Sequence, residues 1–556
     1  MNIKLKKGPR EDFLNLTLDE PVTIEELLRR YGKDLPYTVL AAKVDNRVMA
    51  LTETLEQDCL VEFLDMRTQA ANLTYQYSLS LIYLKAIQDV LGAVPVEIQN
   101  SLNKGLYTEI KTPEAITEAQ VQAVEMRMRS LAEQDLPIVK ESVSRQEALT
   151  FLEAQGYREK IQILKDCPEI DRPVFYRLEE YRNFFYGIMV PSTGYIRHFE
   201  LRKYRRGVIL RFPYPSAPNK IPPYVDEKKL CMAFGESKKW HKLMGVSYLP
   251  DLNKVVEDGE YKELILLSEA LHEKKVAEIA DAITKGRKRI ILIAGPSSSG
   301  KTTFARRLCI QLKVNGLKPL YLGTDDYFVE RKDTPVDEDG KPNYEDLETI
   351  DVSLFNNNMN DLLSGRQVDL PTFDFIRGTK IFGKRITSIR PHQPIVIEGI
   401  HALNGKLTRE IAEEEKYRIY ISPFTQLNID SHNRIPTTDA RMLRRIVRDY
   451  LYRGYSARQT IESWPKVRKG EDKNIFPFNG EADVLFNSAL IYELALLKKH
   501  AQPLLEEITP ADPEYSDAQR ILKFLNFFRS IEDESMIPNN SILREFIGGS
   551  IFRDNL

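Results

Sequence analysis

Residues Gly295-Pro296-Ser297-Ser298-Ser299-Gly300-Lys301-Thr302 read G-x-x-x-x-G-K-[ST]. These types at this spacing suit one task, the holding of a phosphate chain. Glycines let the backbone curl so that successive N–H groups face one anion. A helix start adds partial positive charge at the same point. Lys301 can reach β- and γ-phosphates, and the Thr302 hydroxyl can ligate Mg²⁺. The motif requires a strand before it and a helix after it. RIILIA precedes it and TTFARRLCIQL follows, so the context is met.

Other chemistry-bearing residues follow downstream. The run PLYLG ends in Thr324-Asp325-Asp326-Tyr327-Phe328, and PIVIEGI carries Ile397-Glu398-Gly399. Ligands bind beyond the C-terminal ends of parallel strands. An acid at the first place can accept a proton from an attacking hydroxyl, and one at the second faces Mg²⁺ or its water shell. Segment 441–469 holds Arg441, Arg444, Arg445, Arg448, Arg453, Arg458, Lys466, Arg468 and Lys469 against Asp449 and Glu462. The first four fall at i, i+3, i+4, i+7 and share a helical face. That face reads as solvated or as a phosphate-binding lid, and its place after a phosphate loop favours the lid. A GTPase would need N-K-x-D, but Asn253-Lys254 runs into Val255-Val256. Asp337-Glu338-Asp339-Gly340 matches D-x-x-G only formally, in a polar loop.

The elements that must position these groups are legible. Short apolar runs (RIILIAG, LKPLYLG, PIVIEGI, YRIYIS) alternate with helical patterns, which predicts an α/β fold with a parallel sheet flanked by helices. Upstream, Thr23 and Glu26 have capping-box spacing ahead of a helix that Gly32 ends. Residues 73–91, 114–136, 146–155 and 260–285 read as helices, and YGIMV and GVILRF within 184–212 as strands. Five prolines in 213–223 mark a semi-rigid boundary. The chain has 556 residues, 42% hydrophobic and 29% charged, with net charge −2. That suits several globular domains and disfavours a wholly basic nucleic-acid binder. Four separated cysteines (Cys59, Cys167, Cys231, Cys309) argue against a disulfide framework. The N-terminus has no apolar signal core and no uncharged run reaches membrane-spanning length, so a multidomain cytoplasmic protein is expected.

From about 288 to 500 the chain resembles the uridine kinase/phosphoribulokinase family of P-loop kinases. The resemblance rests on GPSSSGKTTFARRL, LGTDDYF, NYEDLETID, PTFDF, IVIEGI and RMLRRIVRDYLYRG. It implies ATP and Mg²⁺ as partners of the site. It places ATP on Gly295, Ser297, Ser298, Ser299, Gly300, Lys301, Thr302, Thr303, Arg448 and Arg453, with Thr302 and Glu398 for the metal. Lys301 and the general base Asp325 become catalytic. Asp325, Tyr327, Phe328, Glu345, Phe373, Phe375 and Arg445 become substrate-binding, with Glu345 on ribose hydroxyls and the phenylalanines near a base. Two places depart from the pattern. Gly378 stands where the pyrimidine-reading His is expected, and Tyr455 where a further Arg follows the lid.

The N-terminal half resembles another family. Residues 1–65 look like a TGS domain, a β-grasp module, and 66–210 like the second additional (editing) domain of threonyl-tRNA synthetase. LTYQYSLSLIYLKAIQDV and NFFYGIMVPSTGYIRHFEL carry that likeness. The family's four metal ligands are replaced by Tyr77, Leu81, Phe185 and Met189, so editing chemistry on that metal is not expected. The expected organisation is a TGS-like domain at 1–65, a metal-free editing-like domain at 66–210, a Pro-rich linker region at 211–260, a uridine kinase-like domain at 261–500 and a C-terminal helical segment at 501–556.

The leading functional expectation is ATP-dependent phosphorylation of a nucleoside 5′-hydroxyl. A kinase for another small alcohol (a sugar, sugar phosphate or pantothenate-like compound) is the enzymatic alternative. The alternative of another class is a nucleotide-switched RNA- or ribosome-associated regulator. Arg197, Arg202, Lys203, Arg205 and Arg206, with Tyr204 interleaved, could contact RNA phosphates or simply guard an edge strand. The oligomeric state is left open.

Overall fold

The computed structural model describes residues 1–8, 11–336, 340, 342–424 and 427–552. Asp337, Glu338 and Asp339 of the D-x-x-G match lie outside the described residues.

One sheet positions the candidate site. Its spatial order is Leu320–Gly323, Ile395–Glu398, Ile290–Ala294, Lys416–Ser422 and Val484–Asn487, and every neighbouring pair is parallel. Side chains of a strand alternate between faces. Accordingly Ile291 and Ile293 enter one core with Phe304 and Leu308 of the helix Lys301–Val314. Ile290, Leu292 and Ala294 enter the other with Phe355, Met359 and Leu362 of the helix Val352–Leu363. Burial on both faces explains why these strands read as continuous apolar runs. The parallel order brings the ends of the first three strands to one rim, where the loops carrying 295–302, 324–328 and 398–399 meet.

The N-terminal sheet is mixed, in the order Leu14–Thr17, Asn2–Lys6, Cys59–Asp65, Val39–Val44 and Arg47–Met49, and its core includes Ile24 and Leu27 of the helix Ile24–Tyr31. Thr23 and Glu26 close the capping box. Next, the helices Gln69–Leu91 and Glu118–Glu133 pack on an antiparallel sheet ordered Glu200–Tyr204, Gly207–Arg211, Gly105–Ile110 and Val96–Leu102.

Several sequence expectations change. YGIMV (186–190) is irregular rather than a strand, because the Tyr77 ring lies against the Gly187 backbone and Pro191 follows. Within the stretch expected to be a Pro-rich linker, residues Lys228–Leu243 and Leu249–Glu257 are helices. Phe234 and Leu249 from them enter the two cores of the parallel sheet. The C-terminal stretch also packs back: Ile531, Ile537, Ile542, Leu543 and Phe546 share the core of the phosphate-loop helix. Among the described residues no helix is long and apolar enough to cross a membrane. All four cysteines are free.

Candidate active site

The central strand ends at Ala294, and the chain curls through left-handed Ser298 (φ 60°) and Gly300 (φ 84°) before the helix begins at Lys301. The Ser298 and Ser299 hydroxyls are buried with no hydrogen-bond partner. Two donors of the loop already face carboxylates. Ser297 N donates to Glu471 Oε1 at 3.0 Å, and Thr303 donates through N (3.1 Å) and Oγ1 (2.8 Å) to Glu545 Oε2. A loop whose N–H groups collect oxyanions and whose hydroxyls lack partners suits a polyphosphate. Neither glutamate was singled out from the sequence, where a lone acid carries no sign of its distant partner.

Lys301 sits among acids. Its Nζ donates to Pro296 O at 3.3 Å, and its charge acts on Asp325, Glu345 and Glu398. Glu398 is raised to about 7 by burial, then by the Asp325 and Glu545 carboxylates, against the pull of Lys301; its Oε2 accepts from Tyr321 Oη at 3.2 Å. Asp325 is reached by solvent but walled in by protein. That enclosure raises its carboxyl, Lys301 lowers it and Asp326 raises it. Asp326 differs: Arg385 holds it at 2.6 Å and Phe373 N donates to it at 3.4 Å. Glu345 is raised by burial and by Glu471, and Gly470 leaves space for its side chain. Among the described residues no group of three or more His, Cys, Asp or Glu is placed to enclose a metal. Glu398, half-buried beside Lys301, is an oxygen donor of the kind Mg²⁺ takes, and that ion keeps several waters and needs few protein ligands.

The arginine face divides. Arg441 and Arg444, on the helix Thr437–Arg453, are 2% and 0% exposed. Arg441 pairs with Glu471 and donates to Ser297 O at 3.0 Å. Arg444 pairs with Glu493 at 2.6 Å and donates to Ser298 O at 3.4 Å. These two brace the phosphate loop, and protein carboxylates rather than solvent or phosphate neutralise them. Arg445, Arg448 and Arg453 converge on Asp449 at 3.1, 2.7 and 3.5 Å, and Arg445 also donates to Ser297 Oγ at 2.8 Å.

Phe328, Phe373 and Phe375 form an aromatic cluster with centroids 5.2–6.1 Å apart, Phe375 being 58% exposed. Tyr327, expected to bind substrate, is instead a core residue. It packs on Phe355 at 5.2 Å, and its hydroxyl accepts from Asn358 at 3.2 Å. Phe328, just past the short helix Thr324–Tyr327, packs at the edge of the same core. Gly378 (φ 72°) is crowded by Arg331, whose Nη2 donates to Phe375 O at 2.5 Å and Nη1 to Ile376 O at 3.2 Å. Tyr455 is exposed.

At the editing-like place, hydrocarbon replaces ligands. Tyr77 packs edge-on against Phe185 (6.3 Å) and Tyr186 (5.6 Å), while Leu81 and Met189 are buried. The basic residues 197–206 lie on and before the hairpin Glu200–Tyr204/Gly207–Arg211, with Arg202 stacked 3.8 Å over the Tyr224 ring.

Comparison with known proteins finds two separate likenesses. Residues 290–493 match the model of the Phosphoribulokinase / Uridine kinase family. Over 201 residues the chain is 28% identical to the threonine–tRNA ligase of Alkalilimnicola ehrlichii, covering 36% of this chain and 31% of the ligase. Against that of Symbiobacterium thermophilum it is 27% identical over 180 residues, covering 32% and 28%. The chain thus spans under a third of the length of these relatives. A putative fructose transport system kinase from Silicibacter sp. TM1040 aligns over 38% of this chain and 98% of its own, at 18% identity and TM-score 0.28. A possible uridine kinase from Bacillus stearothermophilus aligns over 36% and 88%, at 22% identity and TM-score 0.24. Residues 290–493 thus carry the likeness to the phosphoribulokinase/uridine kinase family, and the N-terminal region carries the likeness to threonine–tRNA ligases.

Proposed function

We propose that this chain transfers the γ-phosphoryl group of ATP to a small alcohol, with a nucleoside 5′-hydroxyl as the first candidate. The observation that carries the reading is the convergence of Asp325, Glu345 and Glu398 on Lys301 beside a loop already gripping oxyanions. Phosphoryl transfer leaves the protein little covalent work, so positioning and electrostatics dominate. Asp325 takes the proton of the attacking hydroxyl. Glu345 holds vicinal hydroxyls, and the Phe328/Phe373/Phe375 cluster receives a planar ring. Lys301 with Arg445, Arg448 and Arg453 neutralises charge developing on the transferred group. Thr302 and Glu398 would hold Mg²⁺, which when bound supplies charge neutralisation. The donors of 295–303 would hold the triphosphate.

A second reading, a non-nucleoside alcohol, is favoured by one contact. At Gly378 the residue against the loop is Arg331, a guanidinium with no acceptor and two of its five donors bonded to loop carbonyls, rather than an imidazole. Such a group suits a carboxylate or phosphate on the acceptor better than a pyrimidine edge. A panel of nucleosides, sugars and sugar phosphates with ATP and Mg²⁺, read as ATP loss and a new phosphomonoester, decides. Phosphorylation of a nucleoside alone supports the first reading. Turnover only of an acidic alcohol replaces it with the second, and no turnover of any alcohol removes both.

A further inference from the structure

The C-terminal residues reach the phosphate loop. Ile542 lies flush on Gly300, where an added Cβ would stand 2.5 Å from Ile542 Cγ2. Three residues later Glu545 places one carboxylate oxygen on both the N–H and the hydroxyl of Thr303. The first turn of the helix Lys301–Val314 has N–H groups with no intrahelical partner, which is why such a turn receives phosphate. Glu545 takes one of those donors. Two further observations mark this place as a ligand's. The Ser298 and Ser299 hydroxyls beside it are buried without partners. The Glu545 carboxylate also acts on Glu398, which lies with Asp325 and Glu345 in the field of Lys301.

The segment is anchored rather than loose. Ile542, Leu543 and Phe546 are fully buried, and the Phe546 ring lies 5.1 Å below the Arg444 guanidinium. Ser541 Oγ bonds Glu269, which also accepts from Tyr492 Oη at 2.9 Å. Gly548 (φ 101°) and Gly549 (φ 74°) then turn the chain.

We infer that residues 541–547 are a built-in plug of the nucleotide site, with Glu545 standing where a nucleotide phosphate must bind. Triphosphate and Glu545 cannot share the Thr303 donors, so nucleotide enters only as the carboxylate withdraws. The apparent affinity is then reduced by the fraction of molecules that are plugged. This rests on the proposal that 295–303 holds ATP.

The test uses the full-length chain and Glu545→Gln, a near-isosteric change that removes the charge. ATP·Mg²⁺ binding is measured by titration calorimetry, and hydrogen exchange of peptides covering 537–547 is followed with and without ATP. The plug predicts on the order of tenfold tighter ATP binding by Glu545→Gln, and faster exchange of 537–547 in the wild type when ATP binds. Equal or weaker ATP binding by the variant, or slower exchange on ATP addition, overturns the plug and leaves the nucleotide reading standing. Binding of ATP by neither protein overturns the nucleotide reading and the plug with it.

Discussion

Two adjacent acids, Asp325 and Asp326, end the strand Leu320–Gly323, and their surroundings assign them different work. Asp326 is held by Arg385 at 2.6 Å and accepts from Phe373 N. It is neutralised and cannot swing to a hydroxyl without breaking that pair. Asp325 has no such partner, and its enclosure holds its carboxyl above the ordinary aspartate range. A base must be ionised to act, so turnover falls as pH drops through that raised pKa, nearer neutrality than an unperturbed aspartate would allow. Asp325→Asn keeps the shape and removes the proton acceptor. General-base catalysis is worth roughly 10²–10⁴-fold, about 3–5 kcal/mol of barrier. Asp326 cannot substitute, so the full loss is expected, together with loss of the acidic limb of the pH–rate profile. ATP affinity should stay within about threefold, because the triphosphate donors lie on 295–303.

Asp326→Asn tests the contrast. Its ion pair with Arg385 is partly exposed, 32% and 25% by side chain, so losing it costs under about 1 kcal/mol. The effect should appear mainly in acceptor KM, through Phe373. Steady-state rates at varied pH with calorimetric ATP titration read both variants. An Asp325→Asn enzyme within tenfold of wild-type kcat, or a larger kcat loss in Asp326→Asn, refutes the assignment.

Further outcomes follow from other contacts. Arg444→Met strands buried Glu493, and breaking one side of a buried pair costs roughly 3–5 kcal/mol, so thermal unfolding should drop by many degrees. Arg448→Ala and Arg453→Ala should leave the melting temperature nearly unchanged and lower kcat instead. Arg331→Ala should shift acceptor KM by about tenfold, the loss of one charged contact, while leaving ATP affinity alone; a change in ATP affinity instead would remove Arg331 from the acceptor side. Burial holds His272 at about 3 and His401 at about 4, both neutral in the fold. The unfolded chain takes up protons first, so stability is full above about pH 6.5 and is lost as pH falls toward those values. At pH 5 each group should cost about 2 kcal/mol, and His272→Phe should flatten the fall in denaturant midpoint between pH 7 and 5.

What was legible in the sequence is what short range dictates. The glycine curl before Lys301, the capping box of Thr23 and Glu26, and the apolar strands all express themselves within a few residues. The strand Asn2–Lys6 escaped because its two inward residues, Ile3 and Leu5, are diluted by lysines. Arginine spacing gave a common face correctly, but burial and partners belong to three dimensions. Glu471 reaches Ser297 across 174 positions and Glu545 reaches Thr303 across 242. A carboxylate that braces a loop, one that plugs it and one that caps a surface helix look identical in a string of letters. They separate only by which donor each faces and whether water can replace it. The same argument governs the phosphate loop itself. Its donors are held by Glu471 from the helix Ala457–Asn474 and by Glu545 from the chain's end. Whatever anion enters must therefore exchange with charges presented by two other segments, so on the proposed function nucleotide occupancy is coupled to the placement of the helix Ala457–Asn474 and of residues 541–547.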